Sequence, residues 1–166
     1  MVFSFGRQVS LRMKFIADVM LGKLARYLRI LGYDTLYSSQ MDEEELIRNA
    51  IGQKRMLLTR RTKMKKKEDI KNILFITQDN PRKQLREVCE RLHIMPVAGS
   101  LFTRCLSCNE ILVDMSKDKA EGKVPEHILN AHDSFSFCPH CNRLYWPGTH
   151  HERMLQQTKN QARNIL

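Results

Sequence analysis

The stretch KFIADVMLGKLARYLRILG, residues 14–32, decides the fold of the N-terminal part of this chain. Its first five residues, ending at Asp18, have the apolar centre that is typical of a short buried strand. Four apolar residues then recur at helical spacing, and Gly32 stops the helix; they are Met20, Leu24, Leu28 and Leu31. The stretch therefore predicts a strand followed directly by a helix.

The same alternation of strand and helix continues along the chain to residue 97. Further strands are predicted at 33–38, 55–59 and 72–77, and further helices at 41–52 and 79–94. The resulting β-α-β-α-β-β-α order predicts an α/β domain over residues 14–99, with a mostly parallel central sheet flanked by helices. Cys89 lies among apolar residues of the last helix, so we interpret it as a core thiol.

The charge of the chain favours a polyanionic partner. Its 166 residues carry 28 Lys and Arg against 18 Asp and Glu, a formal net charge of +10. The excess is clustered, since residues 60–71 alone contain seven Lys or Arg. Release of counterions from phosphates drives such surfaces onto nucleic acids, although a basic surface with no ligand has the same composition. No apolar run reaches the ~20 residues of a membrane span, and no secretory signal is evident, so a cytoplasmic protein is expected, with organellar targeting left open.

Two paired cysteine motifs mark a second module. Cys105-Leu-Ser-Cys108 and Cys138-Pro-His-Cys141 are separated by 29 residues. Two thiolates three positions apart lie on one tight turn, and two such turns complete a tetrahedral structural zinc site. Two disulfides are the alternative, which a reducing compartment disfavours. We therefore predict a zinc ribbon at 100–151, followed by a basic helix or tail at 152–166.

Acidic residues from separate segments fall at the carboxyl ends of the predicted strands, where α/β proteins bind ligands. They are Asp18, Asp42, Glu43 and Asp79. Their convergence would suit Mg²⁺ or Mn²⁺, which prefer oxygen ligands. Each aspartate also has a purely structural interpretation as a helix N-cap, with Asp42 and Glu45 forming a capping arrangement.

Basic residues are predicted to frame this acidic edge and to contact phosphate, although a solvated helix face would look the same. One group is spaced by three along the first helix, and the other follows the third strand. The candidates are Lys23, Arg26, Arg29, Arg60, Arg61, Lys63, Lys65, Lys66 and Lys67.

Long segments of the chain resemble the Mut-seven C-terminal RNase domain family. In order, they are KFIADVMLGKLARYLRILGYDT, RMLLTR, FTRCLSCNEIL, VPEHI and FCPHCNRLYWPGTHHERM. The resemblance covers about residues 14–155 and implies a PIN-like nuclease fold with a zinc ribbon. It also implies a metal-dependent RNase site, in which Asp18 matches the first acid and the Asp42-Glu43 stretch matches the second.

The resemblance breaks at the third acid. The family motif ends T-R-D after the third strand, whereas this chain reads Thr59-Arg60-Arg61. An arginine cannot ligate Mg²⁺ or Mn²⁺, but it can bind a phosphate in a bidentate manner. Asp79, following the next strand, is the best-placed substitute, with Asp69 and Glu68 as further candidates.

In the ribbon, the resemblance extends to Trp146, His150 and His151. An aromatic ring there could stack on unpaired bases while the histidines touch phosphate or base. The alternative is that Trp146 packs the ribbon against the α/β domain.

Three functions remain open from the sequence. The first is an RNA-binding protein, for single-stranded or structured RNA, whose cleavage is weakened or lost through Arg61. The second is an active endoribonuclease that uses Asp18, Asp42 or Glu43, and Asp79 with Mg²⁺ or Mn²⁺. The third is a basic docking module for a ribonucleoprotein or a protein partner.

Overall fold

The chain is seen in a computed structural model that describes residues 13–66, 72–95, 99–148, 152–153 and 156, without the side chains of 65 and 66. The descriptions below concern these residues. Most of the predicted C-terminal helix or tail at 152–166 therefore lies outside them.

Four parallel strands form the central sheet, in the order β2-β1-β3-β4. They are β1 (Phe15–Ala17), β2 (Thr35–Leu36), β3 (Met56–Thr59) and β4 (Ile73–Phe75). The predicted parallel sheet is confirmed. Strand β2 is added on one side of β1, and β3 is added on the other side. Strands β1 and β3 are therefore neighbours in the sheet, although 38 residues separate Ala17 from Met56. Ligands of α/β proteins bind at such a reversal.

Helices cover both faces of the sheet. They are α1 (Gly22–Ile30), α2 (Glu43–Gly52) and α3 (Pro81–Leu92). Helices α1 and α3 pack together on one face, where Leu28 and Val88 are fully buried, whereas α2 covers the other face through Leu46. Cys89 is 5% exposed and burial raises its pKa to about 12, which confirms it as a core thiol.

The start of the first helix differs from its prediction. Residues Val19–Leu21 form a 3-10 turn before α1 begins. This tighter turn changes the rotation per residue, so Met20 is 59% exposed rather than buried. Leu24, Leu28 and Leu31 are buried as predicted.

Gly32 joins the α/β domain to the second module. Its φ of +88° is a left-handed conformation that favours glycine, and a Cβ there would lie 2.3 Å from the Ser100 carbonyl oxygen. Ser100 Oγ donates to the Leu31 carbonyl at 3.0 Å, and the Phe102 N–H donates to the Ile30 carbonyl at 2.8 Å. The second module therefore begins by capping the C-terminus of α1.

The second module contains a three-stranded antiparallel sheet in the order β5-β6-β7. Its strands are β5 (Val113–Ser116), β6 (Ser134–Phe137) and β7 (Leu144–Tyr145). Two short helices, α4 (Lys117–Ala120) and α5 (Glu126–Ala131), lie between β5 and β6. The sequence reading missed these helices because four and six residues are too few to show a helical period.

Candidate functional site

The two cysteine motifs converge on one point. Their four Sγ atoms all lie within 4.8 Å of one another, with Cys105 to Cys141 at 3.5 Å and Cys108 to Cys138 at 3.4 Å. A tetrahedron with Zn–S bonds of ~2.3 Å needs sulfurs roughly 3.8 Å apart. All four thiols are free, and the two disulfides considered as the alternative are not formed. The cluster can therefore hold a metal such as zinc.

Backbone and side-chain donors surround the sulfurs. The N–H groups of Cys108 and Cys141 each donate to the first sulfur of their own turn at 3.5 Å. Tyr145 Oη lies 3.1 Å from Cys105 Sγ. Burial raises the pKa of the Cys105 thiol. The hydrogen bonds that Cys105 Sγ makes with Tyr145 and with the Cys108 N–H outweigh burial and lower this pKa to about 6. Donors to the sulfur favour the thiolate, which is the form that ligates metals.

Arg29 ties the first cysteine turn to the α/β domain. Its side chain is 4% exposed, and its Nε donates to the Thr35 carbonyl at 3.0 Å. Its Nη1 donates to the carbonyls of Leu106 and Ser107 at 3.1 and 2.9 Å. Burial lowers the pKa of this guanidinium. Arg29 is not available to RNA, so the predicted phosphate contact is corrected to a structural one.

A second polar network covers the edge strand β2. Arg55 forms a bidentate pair with Asp34, at 2.7 and 3.2 Å. Asn109, just after the first cysteine turn, donates to Asp34 at 2.8 Å and accepts from the Thr35 N–H at 2.9 Å. The sequence reading missed this network because its members are scattered along the chain. It fixes the cysteine cluster to the sheet.

Asp18 lies at the carboxyl end of β1 and is fully buried. Its Oδ1 accepts from the Val19 N–H at 2.7 Å, which is the predicted N-cap. Its Oδ2 accepts from Thr59 Oγ1 at 2.7 Å and lies 2.9 Å from Arg61 Nε. The residue that ends β3 and the arginine two positions later thus meet the end of β1.

Of the acids that open α2, Glu43 approaches this point. Glu43 Oε2 lies 3.6 Å from Arg61 Nη1 and 3.4 Å from Lys63 Nζ. Asp42 instead caps α2 by accepting from the Glu45 N–H at 2.8 Å. Arg61 therefore lies between the Asp18 and Glu43 carboxylates.

Asp79 takes a different position. Its side chain is 89% exposed and pairs with Arg60, while Asn80 caps α3 by accepting from the Arg82 N–H. Within the described ranges, the cysteines are the one group of three or more Cys, His, Asp or Glu residues close enough to hold a metal. Asp18, Glu43 and Asp79 are not brought together in such a group.

The family model of the Mut7-C RNAse domain matches residues 13–158. This chain belongs to the Mut7-C RNAse domain family. Searches of curated proteins and of solved structures found no significant match. Over the described residues, no helix is long and apolar enough to cross a membrane. The match confirms the resemblance on which the ribonuclease prediction rests.

The remaining basic residues of this Mut7-C RNAse domain differ in their exposure to solvent and in their ion pairs. Lys23 and Arg26 are exposed on α1 and make no ion pair within the described part of the chain. Lys63 is 73% exposed although it pairs with Glu43. The side chains of Lys65 and Lys66, and the whole of Lys67, His150 and His151, lie outside the described residues.

The Mut7-C RNAse domain also contains a cavity of about 600 Å³ that the sequence reading did not predict. It lies between Arg26 of α1, the segment 101–106 and the antiparallel sheet of the second module. Trp146 is half-buried and lines this cavity together with Tyr145. The tryptophan therefore borders a space that lies between α1 and the second module.

Proposed function

We propose that this Mut7-C RNAse domain binds RNA and has lost, or nearly lost, metal-dependent cleavage. The observation that carries the proposal is the position of Arg61, whose guanidinium lies between the carboxylates of Asp18 and Glu43. In the family pattern a metal-binding aspartate would occupy this position. The substitution therefore removes one ligand and places a cation on the two that remain.

Electrostatics explains why a divalent ion would not enter. Two unit charges 4 Å apart interact by about 4 kcal/mol at an effective dielectric constant of 20, so a fixed guanidinium strongly opposes a second cation. Mg²⁺ also needs carboxylate oxygens that are free to ligate, and Asp18 Oδ2 already accepts from Thr59 and Arg61. Arg61 cannot lose its positive charge by deprotonation, because an arginine stays protonated in proteins.

RNA binding is supported by the family and by charge. The chain carries a formal net charge of +10, and Lys23, Arg26 and Lys63 are exposed. Such residues bind phosphate without needing a metal. We further propose that the four cysteines hold one structural Zn²⁺, because four thiolate ligands leave no open position for substrate.

The alternative of an active endoribonuclease needs a third carboxylate near Asp18 and Glu43. Asp79 was the best placed of the predicted substitutes, but its pairing with Arg60 on an exposed surface gives no support to that role. The further candidates, Glu68 and Asp69, lie outside the described residues. The geometry of the described residues therefore favours RNA binding without cleavage over an active metal site.

The test is an RNA binding and cleavage assay with Mn²⁺, Mg²⁺ or EDTA. We expect the natural protein to bind single-stranded and hairpin RNA in all three conditions and to leave both intact. Arg61→Asp should gain Mn²⁺-dependent cleavage, and adding Asp18→Asn should abolish it. Arg60→Asp is the matched control, since Arg60 contacts Asp79 rather than Asp18.

Two results would contradict the proposal. Metal-dependent cleavage by the natural protein, lost in Asp18→Asn, would establish an active site. Absence of RNA binding at low salt, with folding intact, would favour docking onto a protein. A steep fall in affinity with rising salt would support phosphate contacts, because each released counterion contributes to the slope.

A further inference from the structure

The cavity of about 600 Å³ beside the metal cluster has the size of a small-molecule site, for which about 300–1,000 Å³ is usual. Helix α1 contributes Arg26 to its lining, and the antiparallel sheet contributes residues from all three of its strands. The cavity therefore lies where the α/β domain and the second module meet, and neither Asp18 nor Arg61 is among its lining residues.

One row across the antiparallel sheet lines this cavity. Asp114 on β5 is paired with Ser136 on β6, and Ser136 is paired with Tyr145 on β7. Residues directly opposite one another in a sheet project to the same face. A carboxylate, a hydroxyl and an aromatic ring are thus placed side by side, and Trp146 follows Tyr145 in the same lining.

The polar groups that line the cavity differ in whether they have a partner among the described residues. The Tyr145 hydroxyl lies 3.1 Å from Cys105 Sγ, so this contact with the cysteine cluster fixes the position of the Tyr145 ring. By contrast, neither the Asp114 carboxylate nor the Arg26 guanidinium makes a hydrogen bond or ion pair with any described residue, and both are exposed. One anionic and one cationic group are therefore available to a ligand of the cavity.

We propose that this cavity binds one unstacked base of a single-stranded RNA, with guanine preferred. The inference rests on the proposed RNA binding and adds a base-recognition site to it. Aromatic side chains stack on unpaired bases, and Arg26 is placed to bind a phosphate of the same strand. The Asp114 carboxylate accepts hydrogen bonds from the base edge.

The carboxylate determines which base is preferred. Guanine presents two adjacent donors, N1–H and the N2 amino group, which match the two oxygens of Asp114. Cytosine and adenine present one amino group each. Uracil presents a single N–H between two carbonyl oxygens that the carboxylate repels. A good bidentate contact discriminates between bases by about 10- to 100-fold in affinity.

The experiment uses short single-stranded oligouridines whose central position is G, A, C, U or abasic. Binding to the full chain is followed by anisotropy of a terminal label. Fluorescence of Trp146, the only tryptophan of the chain, reports stacking at the cavity. Asp114→Asn is the test variant, and Glu126→Gln is its control, because Glu126 is an exposed acid of α5 outside the lining.

We expect the G oligonucleotide to bind about 10-fold more tightly than the U oligonucleotide and to quench Trp146, and the abasic one to bind most weakly. Asp114→Asn should remove the preference for G, and Glu126→Gln should retain it. If all oligonucleotides bind equally, or if Asp114→Asn keeps the preference, this base site is wrong while RNA binding stands. If none binds, both proposals fail.

Discussion

The Arg61 Nε lies 2.9 Å from the carboxylate of Asp18, and Asp18 is fully buried. A buried carboxylate is costly unless a positive charge or hydrogen-bond donors satisfy it. Arg61 therefore supplies the countercharge on which the buried acid depends.

Replacing Arg61 by alanine is expected to destabilise the fold. The change leaves Asp18 with donors from Val19 and Thr59 but no cation, and loss of one partner from a buried pair is strongly unfavourable. Since Arg61 is 25% exposed, we expect a loss of about 1–3 kcal/mol in the free energy of unfolding, measured by urea denaturation. Arg60→Ala is the control and should change it by under ~0.5 kcal/mol, because its partner Asp79 is exposed. Equal effects of the two changes would contradict a stabilising role for Arg61.

Arg29→Lys should weaken the junction between the two modules. The guanidinium donates to Thr35 on one side and to Leu106 and Ser107 on the other. A lysine ammonium lacks the planar fork that reaches all three carbonyls, so buried acceptors remain unsatisfied. We expect a loss of about 2–4 kcal/mol, seen as a lower melting temperature and faster proteolysis between the modules. Arg26→Lys, on the exposed flank of the same helix, should change neither quantity.

Metal analysis of the purified protein should find one zinc per chain. Cys108→Ser removes one of the four ligands, so it should lose the metal and lower the melting temperature, because metal binding and folding are coupled. Cys89→Ala is the matched control. It should retain zinc, since Cys89 lies in the core away from the cluster. Zinc retained by Cys108→Ser at full affinity would contradict the four-thiolate site.

The contribution of Asp34 to stability should depend on pH. Burial alone would raise its pKa, but hydrogen bonds from Arg55 and Asn109 outweigh burial and lower it. A lowered pKa in the folded state stabilises the protein above the unfolded value of about 3.9, and this contribution is lost as pH falls through the folded value. Asp34→Asn should therefore be less stable than the natural protein at pH 7, by about 1–3 kcal/mol.

The difference in the free energy of unfolding between the natural protein and Asp34→Asn should stay constant down to about pH 5. It should become smaller below about pH 4. Paired urea denaturations at each pH measure it. A titration that the two proteins share cancels in this difference, so the difference isolates Asp34. A gap that is unchanged at pH 3 would exclude this carboxylate as its source.

Much of this architecture is readable from local sequence. The apolar runs that became β1 and β3, the capping of α2 by Asp42 and the spacing of the two cysteine motifs are local patterns, and each predicted its element correctly. The prediction that Met20 lies on the buried face of the first helix was wrong. A single 3-10 turn, which no local pattern marked, rotates its side chain to the surface.

By itself, the sequence determined the parallel sheet, the cysteine cluster and the arginine at position 61, since hydrophobic periodicity, cysteine spacing and residue identity can all be read from the linear sequence. Only the tertiary structure decided which acid meets Arg61, that Arg29 is buried, and that Asp114, Tyr145 and Trp146 line one cavity. These relationships depend on strand order and on the close approach at Gly32, which join segments far apart in the chain. A side chain's charge is a property of its residue, whereas its partner and its exposure to solvent are properties of the packing.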